Sequence, residues 1–539
     1  MRDREVPVLI VGGGLTGLSA ALFLSQQGVA SYLVERHQTT TVLTRASGIS
    51  PRTMELLRNA GLEKTVMDRA PKLVAGDRWQ ETDQPADQIP WVVLRTNSIA
   101  DIKNAVIVEE PSLDVGQVSP LTPHWCGQDR LEPILRDEAV RRGAQIDFNT
   151  QFESFEQDEN GVSAVVTDRA TGEQTRVRAQ YMIAADGVRS PIRESLGIGR
   201  TGNGLVGAAM SVLFKADLNS IIQGRRFVLC YLANPAAPGA LQLFDEERWV
   251  FGFFYDPRST APEELTEQKC IEIMRTSLGE PDIPIEVQMT MPWEMSHNVA
   301  DAYRNGRVFL AGDAAHVHPP AGAFGANGGI QDVHNLAWKL AAVLKGWASE
   351  VLLASYEQER LPIGTAVAQQ AWMRHTFRLD GGDDLRAALI NTEVVASGYR
   401  YVSDAVLGPA YPTAVPHEFD LTGKPGYRVP HVWLELGGQR VSTVDLAIDS
   451  FVLLTGRAAG SWAAAAEQVA TEIGVPLLAY VVGTGPLADP NDDFVTAAGL
   501  ADDGALLLRP DGFVGWRLEA TGADPRSTLR GVFARILGI

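Results

Sequence analysis

The chain is poor in cysteine. Its three thiols, Cys126, Cys230 and Cys270, lie far apart in 539 residues. They form neither a C-x-x-C pair nor a metal-ligand spacing, and so few cysteines in a large chain fit a reducing cytoplasm. Long apolar runs are also missing: no uninterrupted stretch reaches the ~18 residues of a membrane span. The segment Val6–Leu24 behind Arg2 and Arg4 has the outline of an export signal. Gly12, Gly13, Gly14 and Gly17 would break its helix, however, and no convincing cleavage site follows. Positive charge is in deficit, with 47 Lys+Arg against 66 Asp+Glu and a net of −19. A field of that sign repels phosphate backbones, and no basic run overrides it, so nucleic acid is disfavoured as a partner. Neither G-x-x-x-x-G-K-[ST] nor G-x-S-x-G occurs, which removes the P-loop ATPases and the nucleophile-elbow hydrolases. With 45% hydrophobic and 21% charged residues, the remainder is an ordinary globular composition.

What is present begins at the N-terminus. Pro7–Val11 has the character of a buried parallel strand. It leads into Gly12-Gly13-Gly14-Leu15-Thr16-Gly17, a G-x-G-x-x-G. A helical apolar pattern follows to about Gln27, with Gly28 as its C-cap candidate. A second strand, Ala30–Val34, ends at Glu35, with Arg36 beside it. Gly12 permits the tight turn off the strand, and Gly14 lets backbone approach a pyrophosphate with no Cβ between. Gly17 lets the helix pack closely on the sheet. The helix start adds free N–H groups and a positive dipole end. Glu35 stands near the offset of about 20 residues at which an acid accepts bonds from ribose hydroxyls. The glycine motif alone is weak. Strand, glycines, helix, strand and terminal acid in this order indicate a dinucleotide site, without separating FAD from NAD.

Further segments follow. Arg307–Ala311 reads as a strand running into Gly312-Asp313-Ala314-Ala315-His316-Val317-His318-Pro319-Pro320, then Gly325-Ala326-Asn327 and a helix to Leu340. Tyr181–Ala185 reads as a strand running into Asp186-Gly187, which in isolation is commonly only a turn. Shorter pieces are Arg45-Ala46-Ser47-Gly48, Gln128-Asp129-Arg130, the Y-x-x-E-R-x-P at Tyr356–Pro362, and Pro425–Trp433. As a set these resemble the single-component FAD-dependent aromatic hydroxylases typified by para-hydroxybenzoate hydroxylase, in the branch that acts on aromatic polyketides. The match spans most of Val6–Trp433.

The resemblance implies roles. Asp313 would bind the ribityl chain, and Pro319 and Pro320 would line the isoalloxazine edge. Arg45, Gln128 and Asp186 would approach the cofactor. Gly325, Ala326 and Asn327 would open a helix aimed at the flavin pyrimidine ring, where its N–H groups stabilise the negative charge of reduced flavin near N1 and the C2 carbonyl. Leu15 and Thr16 complete the glycine loop. His316, His318 and His334 lack a carboxylate or cysteine at ligand spacing, so a structural or flavin-adjacent role outweighs a metal site, and no metal is expected.

The activity implied is that of an FAD- and NAD(P)H-dependent monooxygenase, in which O₂ adds to reduced flavin as the C4a-hydroperoxide and one oxygen passes to a polycyclic aromatic carbon. FAD would be bound tightly but without a covalent link. Only one complete dinucleotide fingerprint is visible, so NAD(P)H would bind transiently. Alternatives are a smaller phenol, a Baeyer–Villiger outcome, or a flavoprotein that holds a ligand without oxygenating it. No catalytic side chain is assigned. The protein is expected in the cytoplasm as a monomer or homodimer, with no membrane partner.

The fold expected is α/β. A discontinuous Rossmann-like FAD-binding domain (1–200 and 299–408) carries an inserted antiparallel β-sheet substrate domain (201–298). A proline- and glycine-rich linker (409–437) leads to a thioredoxin-like domain (438–539) that lacks cysteine and is therefore read as structural. In the strand Arg248–Tyr255, the side chains of Trp249, Phe251, Phe253 and Tyr255 share one face. That face is either sheet-on-helix core or an aromatic wall for a flat substrate, to which Trp293 and Pro319 are added as candidates.

Overall fold

The structure, a computed structural model, describes residues 2–42, 46–69, 92–109, 113–222, 225, 227–245, 247–518 and 524–539. Its organising element is the first strand, Arg2–Val11. Val8, Leu9 and Ile10 are fully buried, because this strand has a parallel neighbour on each side: Ser31–Val34 and Gln174–Ala184. Gln145–Asp147 extends the sheet parallel to Ser31–Val34, and Val308–Leu310 extends it parallel to Gln174–Ala184. A strand buried on both faces reads as a continuous apolar run rather than an alternating one, which is why Pro7–Val11 was legible. The helix Leu15–Gln26 is apolar nearly all round, because it lies on the sheet between helices Gln128–Arg141 and Phe324–Leu344. The antiparallel strands Thr150–Gln157 and Val162–Asp168 attach to the far end of Gln174–Ala184.

The second sheet is built on Arg200–Lys215, flanked by Arg248–Tyr255 and Glu286–Ala300 and continued by Gly239–Leu243 and Leu229–Leu232. It differs from the expected insertion in drawing on both sides of it. Val93–Thr96 pairs parallel with Leu229–Leu232 and carries Val106–Glu109 on its edge, while His316–Val317 pairs with Glu286–Ala300. Short strands such as these have too few residues for period two to stand out.

The C-terminal part carries a four-stranded sheet in the spatial order Leu477–Val481, Phe451–Thr455, Ala505–Leu508, Val514–Leu518, with helices Gly460–Ile473 and Pro525–Leu537. The first pair is parallel and the other two are antiparallel. The stretch expected as a linker is packed instead. Tyr427, Val429, Arg428 and His431 are buried, and backbone bonds run from Gly426 to Val514 and from Val429 to Gly512. Its prolines and glycines serve close packing between the two parts rather than flexibility. One apolar cluster crosses from the first part into the last, with Trp338, Ala342 and Trp347 against Phe451, Leu453, Trp462 and Phe533. Among the described residues no helix is long and apolar enough to cross a membrane.

Candidate active site

Four loops start where four neighbouring parallel strands end: Gly12 after Val11, Glu35 after Val34, Asp186 after Ala184, and Gly312-Asp313 after Leu310. In a parallel α/β sheet the ligand crevice lies beyond the carboxyl ends of the strands, where the chain order reverses. Here the reversal is at Arg2–Val11: the chain continues to one side of it through Ser31–Val34 and returns on the other side with Gln174–Ala184.

The glycines are there for contact. Gly12 has φ +107°, and a Cβ on it would strike the carbonyl oxygen of Ala185. A Cβ on Gly17 would strike the carbonyl oxygen of Gly12, so the helix can sit this close to the strand only without one. A Cβ on Gly14 would meet only a Glu132 carboxylate oxygen, at 3.8 Å, which leaves open space above the loop. A Cβ on Gly312 or on Gly329 would run into Thr16, so the first glycine loop, the Gly312 turn and the helix Phe324–Leu344 meet at one side chain. Leu15 is buried beneath this point. The Glu35 carboxylate accepts the Gly13 N–H at 2.6 Å and the His37 N–H at 2.8 Å, and Arg36 beside it is exposed.

The other predicted segments close on the same place. Asn327 accepts the Ser50 N–H at 2.9 Å and donates to the Gly48 carbonyl at 3.0 Å, while the Gln128 N–H donates to Ala46 at 2.8 Å. Helix Phe324–Leu344 therefore begins against the 46–50 segment and the start of Gln128–Arg141. It begins without a side-chain cap, behind Ala323 at φ +55° and through Gly325, Ala326, Gly328 and Gly329. Its first N–H groups are left for a ligand. A strained left-handed alanine at this point is the kind of backbone that functional sites hold. Asp313 is exposed between buried Gly312 and Ala314, and Pro320 is exposed beside buried Pro319. Asp186 turns back on its own loop: its carboxylate accepts from Ser190 Oγ at 2.6 Å and the Ile192 N–H at 3.2 Å, and burial pushes its pKa up. That geometry favours the turn role for Asp186. Arg45 lies outside the described residues. A glycine cradle under open space, an acid on the glycine loop and an uncapped glycine-rich helix start fit a dinucleotide with a flavin at its end.

The aromatic-wall expectation is corrected. Trp249, Phe251 and Phe253 are at most 4% exposed and pack with Met210, Val212 and Phe214 onto Cys270, Met274 and Leu278 of helix Glu267–Leu278, with Tyr255 partly buried against the same core. These side chains were indeed on one face, and it is the face turned to the helix. The opposite face looks toward the cofactor segments, since Gln242 donates to Ser47 Oγ at 3.3 Å. Trp293 belongs to that face. It lies opposite Ala209, is half-buried, and its indole N–H donates to Ser211 Oγ at 2.9 Å. Met289 and Met291 share its side of the strand, and Phe254 stands 47% exposed with its ring edge-on to His375. Trp372, three residues before His375 on helix Ala354–Asp380, stacks on His297. Two signals marked these residues in the sequence and went unread: the alternation Val287, Met289, Met291, Trp293, Met295, and the i, i+3 pair Trp372 and His375.

Of the histidines near the crevice, His316 Nε2 lies 2.7 Å from Asp332, while His318 Nδ1 donates to its neighbour's carbonyl at Pro319. Burial pushes His318 down to about 4, so it is neutral at working pH. Among the described residues no group of His, Cys, Asp or Glu is arranged to hold a metal.

Comparison with known proteins gives the same picture. Residues 5–371 match the FAD binding domain model and residues 422–539 the model of the aromatic-ring hydroxylase C-terminal region. The chain is 66% identical to the tetracenomycin A2 monooxygenase-dioxygenase of Streptomyces glaucescens over 100% of this chain and 98% of that one. It is 64% identical to the tetracenomycin B2 monooxygenase-dioxygenase of Streptomyces olivaceus, over 99% of both. A crystal structure of aklavinone-11 hydroxylase with FAD and aklavinone superposes with a TM-score of 0.89 at 37% identity, covering 100% of both chains.

Proposed function

The chain belongs to the FAD-dependent aromatic-ring hydroxylases, and from that premise we propose that its substrate is a tetracyclic aromatic polyketide of the tetracenomycin type. It is an FAD-dependent monooxygenase that takes its electrons from NAD(P)H. The convergence of Gly312 and Gly329 on Thr16 of the first glycine loop, beside the face that carries Trp293, supports a flavin and a flat ligand meeting in one crevice. Bound FAD supplies the oxygen-activating chemistry.

The remaining tasks fall to this chain. Gly12, Gly14, Leu15, Thr16 and Gly17 hold the pyrophosphate at the helix start, Glu35 holds the ribose and Asp313 the ribityl chain. The N–H groups at Gly325, Ala326 and Asn327 stabilise negative charge on the flavin pyrimidine ring. Trp293, Met291, Phe254 and Trp372 orient the ring system and exclude water. Identity of nearly two-thirds over the whole length to two enzymes named for both monooxygenase and dioxygenase action favours more than one oxygen atom entering the product. We assign the flavin unit to 1–200 and 299–408, with 93–109 joining the substrate sheet of 201–298, and a thioredoxin-like unit to 438–539. We place the protein in the cytoplasm as a monomer or homodimer.

The test follows NAD(P)H consumption, peroxide release and product mass with a tetracyclic naphthacene polyketide and with a single-ring phenol. The expected outcome is coupled turnover, with a mass gain of one or more oxygen atoms, for the tetracycle only. Full coupling with the phenol, or a ring-expanded lactone as product, would reject the assignment.

A further inference from the structure

The hairpin turn Arg509-Pro510-Asp511-Gly512-Phe513 belongs to the C-terminal sheet, yet its charged side chains are buried against the first part of the chain. Arg509 forks onto both carboxylate oxygens of Glu359 and also pairs with Asp511. Glu359 accepts in addition from Lys339 Nζ at 2.7 Å, Asn335 Nδ2 at 2.6 Å and Ser403 Oγ at 2.6 Å. Asp511 accepts the Trp338 indole N–H at 3.2 Å, and its backbone carbonyl accepts from Arg52 at 2.6 Å. Arg509, Lys339, Glu359 and Asp511 are each at most 2% exposed. A buried, charge-balanced set of this kind gains little over apolar packing of the same shape, while loss of one member leaves a charge stranded. What it supplies is a single register for the groups it joins.

The register is passed on. Glu359 is followed on helix Ala354–Asp380 by Arg360, and successive helical side chains point about 100° apart. With Glu359 held by the hairpin, Arg360 is turned to Asp332, and its Nε donates to Asp332 Oδ1 at 2.7 Å. The other oxygen, Asp332 Oδ2, accepts the Gly312 N–H at 3.0 Å and lies 2.7 Å from His316 Nε2. Asp332 therefore fastens both ends of the segment Gly312–His316, with Asp313 inside it. Burial opposes the charge on Asp332, but His316 and Arg360 hold its carboxyl down at about 2, so the clamp stays ionised.

We infer that Arg509 and Asp511 are positioning residues for the flavin, acting through Glu359 and Arg360 on Asp332 and hence on the Gly312–His316 segment. The inference rests on the proposal that this segment contacts FAD. It gives the C-terminal unit, which has no redox chemistry of its own, a part in building the cofactor site, through an ion pair that joins residues 150 apart in sequence.

The experiment uses the full chain as apoprotein, titrated with FAD by quenching of flavin fluorescence, with thermal midpoints measured in parallel. Asp511→Asn and Arg509→Gln are each expected to raise the FAD dissociation constant by about tenfold or more, the usual cost of losing a group that orients a ligating one. Phe533→Leu destabilises the same unit from its core and is expected to lower the thermal midpoint with FAD affinity unchanged. The inference is overturned if the seam variants lower the midpoint but hold FAD like the parent, or if Phe533→Leu weakens FAD as much as they do. Should a seam variant fail to fold, Trp338→Phe removes the indole N–H from Asp511 while keeping an aromatic ring in the core, and is judged by the same criterion. Asp313→Ala is titrated alongside. If it holds FAD normally while the seam variants do not, the Asp313 assignment fails and the seam stands; the reverse pattern fails the seam.

Discussion

Asp313 is a short acid between two buried small residues, at the end of a parallel strand and beside the uncapped helix start. On the proposed role of Asp313 as ligand of the ribityl chain, replacing it by alanine would leave ribityl hydroxyls unpaired, a loss of about 1–3 kcal/mol. At ~1.4 kcal/mol per decade, Asp313→Ala is expected to weaken FAD by one to two decades, read by flavin release on dilution. Three histidines give a second handle. Burial pushes His318, His334 and His431 down to about 4, 3 and 4. In the unfolded chain each protonates near about 6.5, so below that pH the unfolded state binds more protons and stability rises with pH. Their contribution is complete above about pH 6.5 and is lost as the pH falls toward 4. The thermal midpoint is expected to drop steadily from about pH 7 to pH 5; a level profile there would reject buried neutral imidazoles. At this scale the sequence was most legible where a residue type is forced by geometry. Only glycine fits at 12 and 17, and that announced itself. Asp332 did not, because a carboxylate in a helix reads as solvated surface until its buried partners are seen, and the Y-x-x-E-R-x-P motif marked Glu359 without showing what it would pair with.

Period two told which side chains of Arg248–Tyr255 travel together, but alternation has no sign: it cannot say which face meets a helix and which meets a ligand. Helix Glu267–Leu278 decides it, since its Cys270, Met274 and Leu278 share one buried cluster with Phe251. In a well-folded preparation, Phe251→Ala is expected to cost about 3–5 kcal/mol of stability, while the substrate KM is kept. Trp293→Ala is expected to raise KM for the polycyclic substrate with little change in thermal midpoint, and steady-state kinetics beside denaturant melts distinguish the two. Glu286–Ala300 was missed because Pro292 interrupts it. The structure tolerates the proline because the strand runs along an edge there, its outer side pairing only at Asn298 and Val299 among the described residues. In the C-terminal part, by contrast, Phe451–Thr455 and Ala505–Leu508 are legible as bounded apolar runs, with the turn residues Pro510-Asp511-Gly512 after the second.

For the molecule as a whole, the packed 427–432 segment and the shared cluster around Trp338 mean that the two ends of the chain complete each other. Removing 438–539 would bare Trp338, Ala342 and Trp347 along with the buried charges of the seam. The truncated chain is expected in the insoluble fraction without flavin, and a soluble, yellow truncate would contradict the shared core. Discontinuity of this sort leaves no mark in composition, which is why a linker was the natural expectation for 409–437. The same long-range pairing sets a timetable. The strand Arg2–Val11 leaves the ribosome well before its neighbour Gln174–Ala184, which comes some 170 residues later, as in the pairing of Arg2 with Thr175. At a synthesis rate of about 5–20 residues per second, the apolar strand waits roughly ten to thirty seconds for that edge, and longer for Val308–Leu310. A strand left exposed for that long is the kind of surface holdase chaperones cover, so yield in a host is expected to follow holdase supply and slowed translation more than the strength of the promoter.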